Sequence, residues 1–520
     1  MARTARGAGF LAAQSAIGVI IGTVLYIYQT RALTKEEMGV YAAVFLVQNS
    51  ATVLGTLGFD FAASRFIPFL KGRGDSSGLK FFTKWVLFLS MASASAFGLA
   101  YFFLAPTFSV LMLGSDSYAY VFQLDSLVVF LGIMGLVLMG HVQGLQKYLR
   151  LAAFKLLAQI IRVGTSVALL LGGLGVVSIY YGWASYYVLL VALSLPFVIF
   201  LLKIRASDAD RGNVQNVSVR SLFAFSTPIM VYGALLFMST SLDQFFVLSA
   251  GAEALGAYSV AVTGGLLISQ TIVSPLQQTL TSGLSEVHGR SLPGDLKDSL
   301  EMATRLVGML FLPMIAGLVA LAPVAIFVLA GASYPESVLP FSVICLGMSF
   351  LGFSTLILST LVALGETRKV MLAYLGSIIV QFALGSVLTP VLGLLGASLS
   401  RASMYAVGLL LFLKLGGDSA KLKIEKRFLG KVILSSVAMG LIVYLTAFFT
   451  QFRLLFLPLY VVIGIGMYGI GLAVMKIVKA KDIAFFFSII PLGEKMRRMA
   501  KRTLASHKTL NQLYKRLATD

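Results

Sequence analysis

The sequence predicts an all-α polytopic membrane protein with about fourteen transmembrane helices: two parallel-repeat six-helix lobes, then a C-terminal hairpin. Three observations predict it: an apolar composition, a ladder of long apolar runs, and landmarks that recur at a nearly constant offset. Hydrophobic residues make up 58% of the 520 residues and charged ones 12%, with mean hydropathy +0.91. A soluble domain carries about 25% charged residues, so this chain has too few to cover a water-facing surface. A β-barrel would show short alternating segments instead of continuous runs.

A helix needs about 20 apolar residues to cross the hydrocarbon core. Runs of that kind lie near 10–29, 39–62, 82–105, 119–140, 151–172, 176–202, 221–247, 255–280, 305–329, 338–363, 371–390, 394–414, 432–450 and 454–475. The weakest division is LGGLG, between the fifth and sixth. The N-terminus, MARTARGAGF, places two arginines before the first run. That run is too long for a signal h-region and no small-residue cleavage pattern follows it, so a retained span is expected.

With the N-terminus inside, 36 of the 41 Lys and Arg residues fall in the N-terminus, every second connection and the C-terminal tail. This asymmetry predicts a multi-pass protein of the cytoplasmic membrane with both termini inside. The net charge of +20 then reports topology, and no soluble domain exists on which a nucleic-acid surface could form. The outer connections are too short for a catalytic domain, so no enzyme activity is expected. Cys345 stands alone and His141, His288 and His507 are scattered, so neither a metal site nor a cofactor is expected. The tail over 478–520 spaces apolar residues helically among basic ones. It is expected to lie on the anionic inner leaflet, the alternative being a partner-binding tail.

The phrase MGVYAAV at 38–44 returns as LGAYSVA at 255–261, with Gly39 and Tyr41 matched 217 positions later by Gly256 and Tyr258. Gly144 and Gly365 match at an offset of 221, as do Gly175 and Gly396. Landmarks in one order at a nearly constant offset define lobes over 1–205 and 215–415, followed by a hairpin over 430–477. An even number of spans separates equivalent points, so the repeats share one orientation. Such architectures place the substrate between lobes and expose it alternately to each side. Gly39 and Tyr41 themselves are expected to act as interface anchors.

The first hairpin reads RALTKEEMGVYAAVFLVQNSATVLGTLGFDFAASRFI. Later come FSTPIM, SLDQFFVLSAGAEALGAYSVA, SPLQQTLTSGLSEVHG, LAGASYPES, LVALGETRKV and LTPVLGLLGASLS. In this order and spacing, over about residues 8–415, they resemble the Wzx-type polysaccharide flippases of the multidrug/oligosaccharidyl-lipid/polysaccharide exporter superfamily. The resemblance implies a V-shaped transporter that moves a polyprenyl-(di)phosphate-linked oligosaccharide from the cytoplasmic to the outer leaflet, for surface polysaccharide or glycan biosynthesis.

A carrier of that kind must hold an anionic headgroup and hydrated sugars inside the membrane. Charged residues within spans cost about 2.5–3.5 kcal/mol each on insertion scales, so they become candidates by default. Arg162 lies about 16 Å into span five, with Gln159 and Ser166 on the same helical face. Arg401 lies nearer the outer end of span twelve. Arg65 matches the basic residue that follows the glycine-rich end of span two in the resembling family, and a simple inside anchor explains it equally well. Arg31 is a candidate at the outer mouth, and Lys155 is expected to snorkel inward. Asp60, Asp125 and Asp243 are candidates for salt bridges with arginines or for binding a coupling H+ or Na+. Asp243 stands where the resembling family often has Asp. No nucleotide-binding GxxxxGK[ST] occurs, so an ion gradient or consumption of product is the expected driving force.

Two motif matches carry no function. GIGMYG at 464–469 satisfies GxGxxG but lies within an apolar run, where small-residue helix packing explains it. Asn216-Val217-Ser218 is a glycosylation triplet on the inside. Pro228, Pro275, Pro313 and Pro323 are expected to kink cavity-lining helices. The competing functions are an ion-coupled small-molecule antiporter, which would need acids more than arginines in its site, and a membrane glycosyltransferase, which would need an acidic loop that is not present.

Overall fold

The computed structural model describes residues 2–203, 219–274, 277, 293–364, 366–420 and 425–478. Gly365, Pro275, Asn216, His288, His507 and the tail over 479–520 lie outside the described residues. Among those described there is no strand. The helices are α1 (Ala2–Ala32), α2 (Lys35–Gly55), α3 (Phe59–Arg73), α4 (Ser76–Leu113), α5 (Ala119–Gly144), α6 (Tyr148–Leu171), α7 (Val177–Lys203) and α8 (Val219–Val247). They continue as α9 (Ala252–Ile268), α10 (Pro293–Ala320), α11 (Ala322–Ala330), α12 (Val338–Ala363), α13 (Thr367–Leu392), α14 (Leu394–Ala420), α15 (Lys426–Phe449) and α16 (Leu457–Val474). Thirteen helices among the described residues are long and apolar enough to cross a membrane. Helix α1, 31 residues long, carries the first expected run in addition. Large apolar side chains such as Phe103, Leu111, Val391 and Phe449 are exposed, as lipid-facing positions must be in a bilayer.

Local chemistry sets the helix boundaries. Thr34 caps α2 through a capping box with Glu37, which satisfies two orphan donors at the helix start. The expected run over 39–62 is broken, because Leu57 and Gly58 take φ values of 50° and 72° and separate α2 from α3. A Cβ on Gly58 would press on the Ser226 carbonyl, so glycine serves both the turn and the close approach. LGGLG, the weakest division in the sequence, forms a full turn with Gly173 at φ 82° and Gly175 at φ 54°. The run over 305–329 breaks between α10 and α11, beside Pro323. Pro228 and Pro313 lie inside α8 and α10.

The described helices pack as two compact units. The first holds Met1–Pro275, Ile326–Ile344 and Met371–Val407; the second holds Leu276–Ala325, Cys345–Val370 and Gly408–Asp520. Within the first, α2 crosses α9 at the repeated phrase. A Cβ on Gly39 would overlap the Ala252 carbonyl, and one on Gly256 would overlap the Lys35 carbonyl. Ala252 and Lys35 are themselves 217 residues apart, so each glycine meets the residue four before its own counterpart. The contact is reciprocal, as at a local two-fold axis.

Within the second unit, α10 packs on α15 and α15 on α16. Arg305 straps the two ends of this hairpin to α10. Its Nη1 lies 2.8 Å from Glu425 Oε2, its Nη2 donates to the Ile477 carbonyl at 3.1 Å, and its guanidinium lies 4.1 Å from the Phe428 ring centre.

Candidate functional site: a cationic, amide-lined cavity

The site is built on α6, whose polar face turns toward α1 and α7. Helix α7 approaches closely because Gly182 lacks a Cβ; one there would overlap the Ser166 hydroxyl. That approach lays the Trp183 indole against Arg162, with the guanidinium carbon 3.5 Å from the ring centre. Trp183 stacks on Tyr187 at 5.8 Å, meets Tyr186 edge-on at 5.6 Å and lies 6.5 Å from Phe45. A desolvated cation–π contact is worth about 2 kcal/mol, enough to hold the guanidinium plane in one orientation. Its hydrogen-bonding capacity is barely used. Nη1 reaches Gln159 Oε1 only at 3.5 Å, and the buried Nε has no partner among the described residues.

Arg162 opens onto a cavity of about 410 Å³ in the first unit, between α1, α6 and α9. Its polar lining comprises two cations, Lys155 and Arg162; four amides, Gln14, Gln29, Gln159 and Gln270; three phenols, Tyr26, Tyr41 and Tyr186; and the hydroxyls of Ser15, Thr23 and Thr263. No carboxylate lines it among the described residues. Such a surface attracts an anion and offers paired donors and acceptors to hydroxyls.

Arg401 occupies a different environment. It is 1% exposed, and its Nε and Nη2 reach Asp243 Oδ2 and Oδ1, each at 2.6 Å. Nη2 also donates to the Thr240 carbonyl at 2.6 Å, and the Tyr258 hydroxyl donates to Asp243. Counting back 217 from Asp243 and Tyr258 gives Tyr26 and Tyr41; counting back 221 from Arg401 gives Tyr180. In the first repeat the Tyr180 hydroxyl donates to the Tyr41 carbonyl at 3.2 Å. Equivalent positions thus hold three tyrosines in one repeat, two of them lining the cavity, and a closed ion-pair cluster in the other.

Of the residues nominated from sequence, the cavity lining brings together Arg162 and Gln159 and leaves out Arg401, Arg65 and Arg31. Exposed Arg65 stacks on Phe225 at 4.3 Å. Arg31 donates to the Val328 carbonyl at 3.1 Å, beside the Lys35–Glu336 ion pair at 2.5 Å. Asp60 opens α3, with one carboxylate oxygen unpartnered among the described residues. Asp125 is fully buried, with the Tyr101 phenol beside its carboxylate. Sequence reasoning missed Trp183 and three of the four glutamines. Tyr41, expected as an interface anchor, is also among the residues that line the cavity.

The family model for polysaccharide biosynthesis proteins matches residues 29–339. Among solved structures, the chain is similar to the lipid II flippase MurJ in an inward closed conformation: 14% identity, 89% of this chain and 98% of that chain covered, TM-score 0.65. It is also similar to an inward-facing multidrug resistance MATE family transporter of the MOP superfamily: 16% identity, 78% and 94% covered, TM-score 0.59. A MOP superfamily transporter from Pyrococcus furiosus gives 16% identity, 80% and 96% covered, TM-score 0.53. At these identities the likeness establishes a MurJ- and MATE-like transporter fold. No curated protein sequence matches the chain. The family model spans more than half of the 520 residues, and the chain belongs to the polysaccharide biosynthesis protein family.

Proposed function

We propose that this chain flips a polyprenyl-(di)phosphate-linked oligosaccharide across the cytoplasmic membrane, for surface polysaccharide or glycan biosynthesis. It works as a transporter, by alternating access, and not as an enzyme. The observation that carries this reading is the lining of the cavity: Arg162 held on Trp183 with donors to spare, Lys155 on the same helix, and four glutamine amides. Cations suit the anionic groups of such a lipid, and amides suit sugar hydroxyls. Membership of the polysaccharide biosynthesis family and the likeness to a lipid II flippase support the same substrate class. An antiporter of cationic small molecules shares the fold, but the cavity lacks the carboxylates that its cargo would require among the described residues.

In this reading the lobes over 1–205 and 215–415 move against each other, both termini face the cytoplasm, and the basic tail over 478–520 lies on the anionic leaflet. Asp243 is neutralised by Arg401, so its role is structural. We assign a coupling H+ or Na+ to Asp125, which is buried beside the Tyr101 phenol. Deletion of the gene is expected to leave lipid-linked oligosaccharide accumulating in the inner leaflet and surface glycan depleted. Normal surface glycan without accumulation, in a background with no second flippase, contradicts the proposal.

A further inference from the structure

We propose that the glycan carried by this chain bears a carboxylate of its own, within a ring or two of the lipid phosphate, and that Arg162 selects it. This rests on reading the cavity as a lipid-linked glycan site. Lys155 and Arg162 both line that cavity. They stand at i and i+7 on one face of α6, about 10 Å apart along the axis.

The two cations differ in freedom. Lys155 ends in a flexible point charge, about two turns from the start of α6. Arg162 is fixed with its guanidinium carbon 3.5 Å from the Trp183 ring centre, and the indole is itself stacked on Tyr187. Arg162 cannot swing along the helix to share a ligand with Lys155 without leaving that stack. Any one phosphoryl group of the carrier therefore engages one of the two.

The lipid decides which. Its polyprenyl tail stays in hydrocarbon, so its phosphate stays toward the headgroup level, and Lys155 is the nearer of the two cations to the start of α6. The sugars are the part that reaches deeper, to Arg162. There a guanidinium with an unpartnered, buried Nε meets the glycan. Neutral hydroxyls would compensate that charge poorly. A carboxylate accepts from its planar fork in the bidentate manner that distinguishes Arg from Lys. No acidic side chain competes from the lining among the described residues, and Gln159, one turn away, remains available for neighbouring hydroxyls.

The test uses full-length protein reconstituted into vesicles with two polyprenyl-diphosphate disaccharides. They differ only in the second sugar, a uronic acid in one and the matching neutral hexose in the other. The acidic lipid is expected to cross at least tenfold faster. In Arg162→Gln the ratio of the two rates falls to near one, whereas in Lys155→Gln both rates fall and the ratio persists. Equal rates for the two lipids in the unaltered protein overturn the inference, a comparison that needs no variant to fold. An Arg162→Gln protein that slows both lipids with the ratio intact also overturns it, placing the lipid phosphate on Arg162. If neither lipid crosses, the transport reading itself fails and this inference with it.

Discussion

Asp243→Ala is expected to destabilise the folded chain by about 3–5 kcal/mol, because it strands a buried guanidinium without its counter-ion. Arg401 is 1% exposed and spends Nε and Nη2 on Asp243, with Nη2 also bonded to the Thr240 carbonyl. It has no route to water. Arg401→Leu leaves the converse defect, a buried carboxylate whose remaining partner is the Tyr258 hydroxyl. Removing both charges together in Asp243→Ala/Arg401→Leu is expected to recover much of the loss, since apolar residues often replace a buried pair without cost. Thermal unfolding of the four proteins in detergent closes the cycle. Strictly additive losses would show that the pair is not coupled and that the cluster does not lock α8, α9 and α14.

Gly39→Leu is the second substitution with a large expected effect, and Gly256→Leu should match it. At both positions even a methyl would overlap a backbone carbonyl of the crossing helix, and a backbone yields less readily than a flexible side chain. Overpacking typically costs about 1–3 kcal/mol and sometimes more. Here the two helices would have to separate along their crossing. Gly430→Ala provides the control, since nothing lies within 4 Å of a Cβ built there. Recovery of monodisperse Gly39→Leu protein with an unchanged melting temperature would mean that the close crossing does not hold the first unit together.

These two cases show what the sequence makes legible. The span ladder was visible because a bilayer demands continuous apolar runs, and thirteen such helices are present among the described residues. The recurrence of Gly39 at Gly256 was visible as spacing, and its cause is steric: each glycine admits the other helix. The break after Gly55 was not visible, because Leu57 in a left-handed conformation leaves no apolar interruption. Depth in a span distinguished Arg162 from Arg401 only weakly. What separates them is their partners, an indole 21 residues further along in one case and a carboxylate 158 residues back in the other. Contacts of that range follow from which helix faces meet, and hydropathy does not encode them. The glutamines were missed for the same reason: Gln14, Gln29 and Gln270 converge from α1 and the π-helical turn Ser269–Val273 that follows α9, and no local pattern brings them together.

Transport by the purified protein tests the central claim most directly. Vesicles containing the full-length chain and a fluorescent polyprenyl-diphosphate oligosaccharide on one leaflet are followed with a membrane-impermeant reagent that modifies only the exposed glycan. The account predicts that the protected fraction becomes reactive at a rate proportional to protein content, and that the Lys155→Ala/Arg162→Ala double variant, which removes both cations of the lining, slows it severalfold or more. A protein that leaves the lipid in its original leaflet while exporting a cationic dye would contradict it, and would make the cavity a small-molecule site.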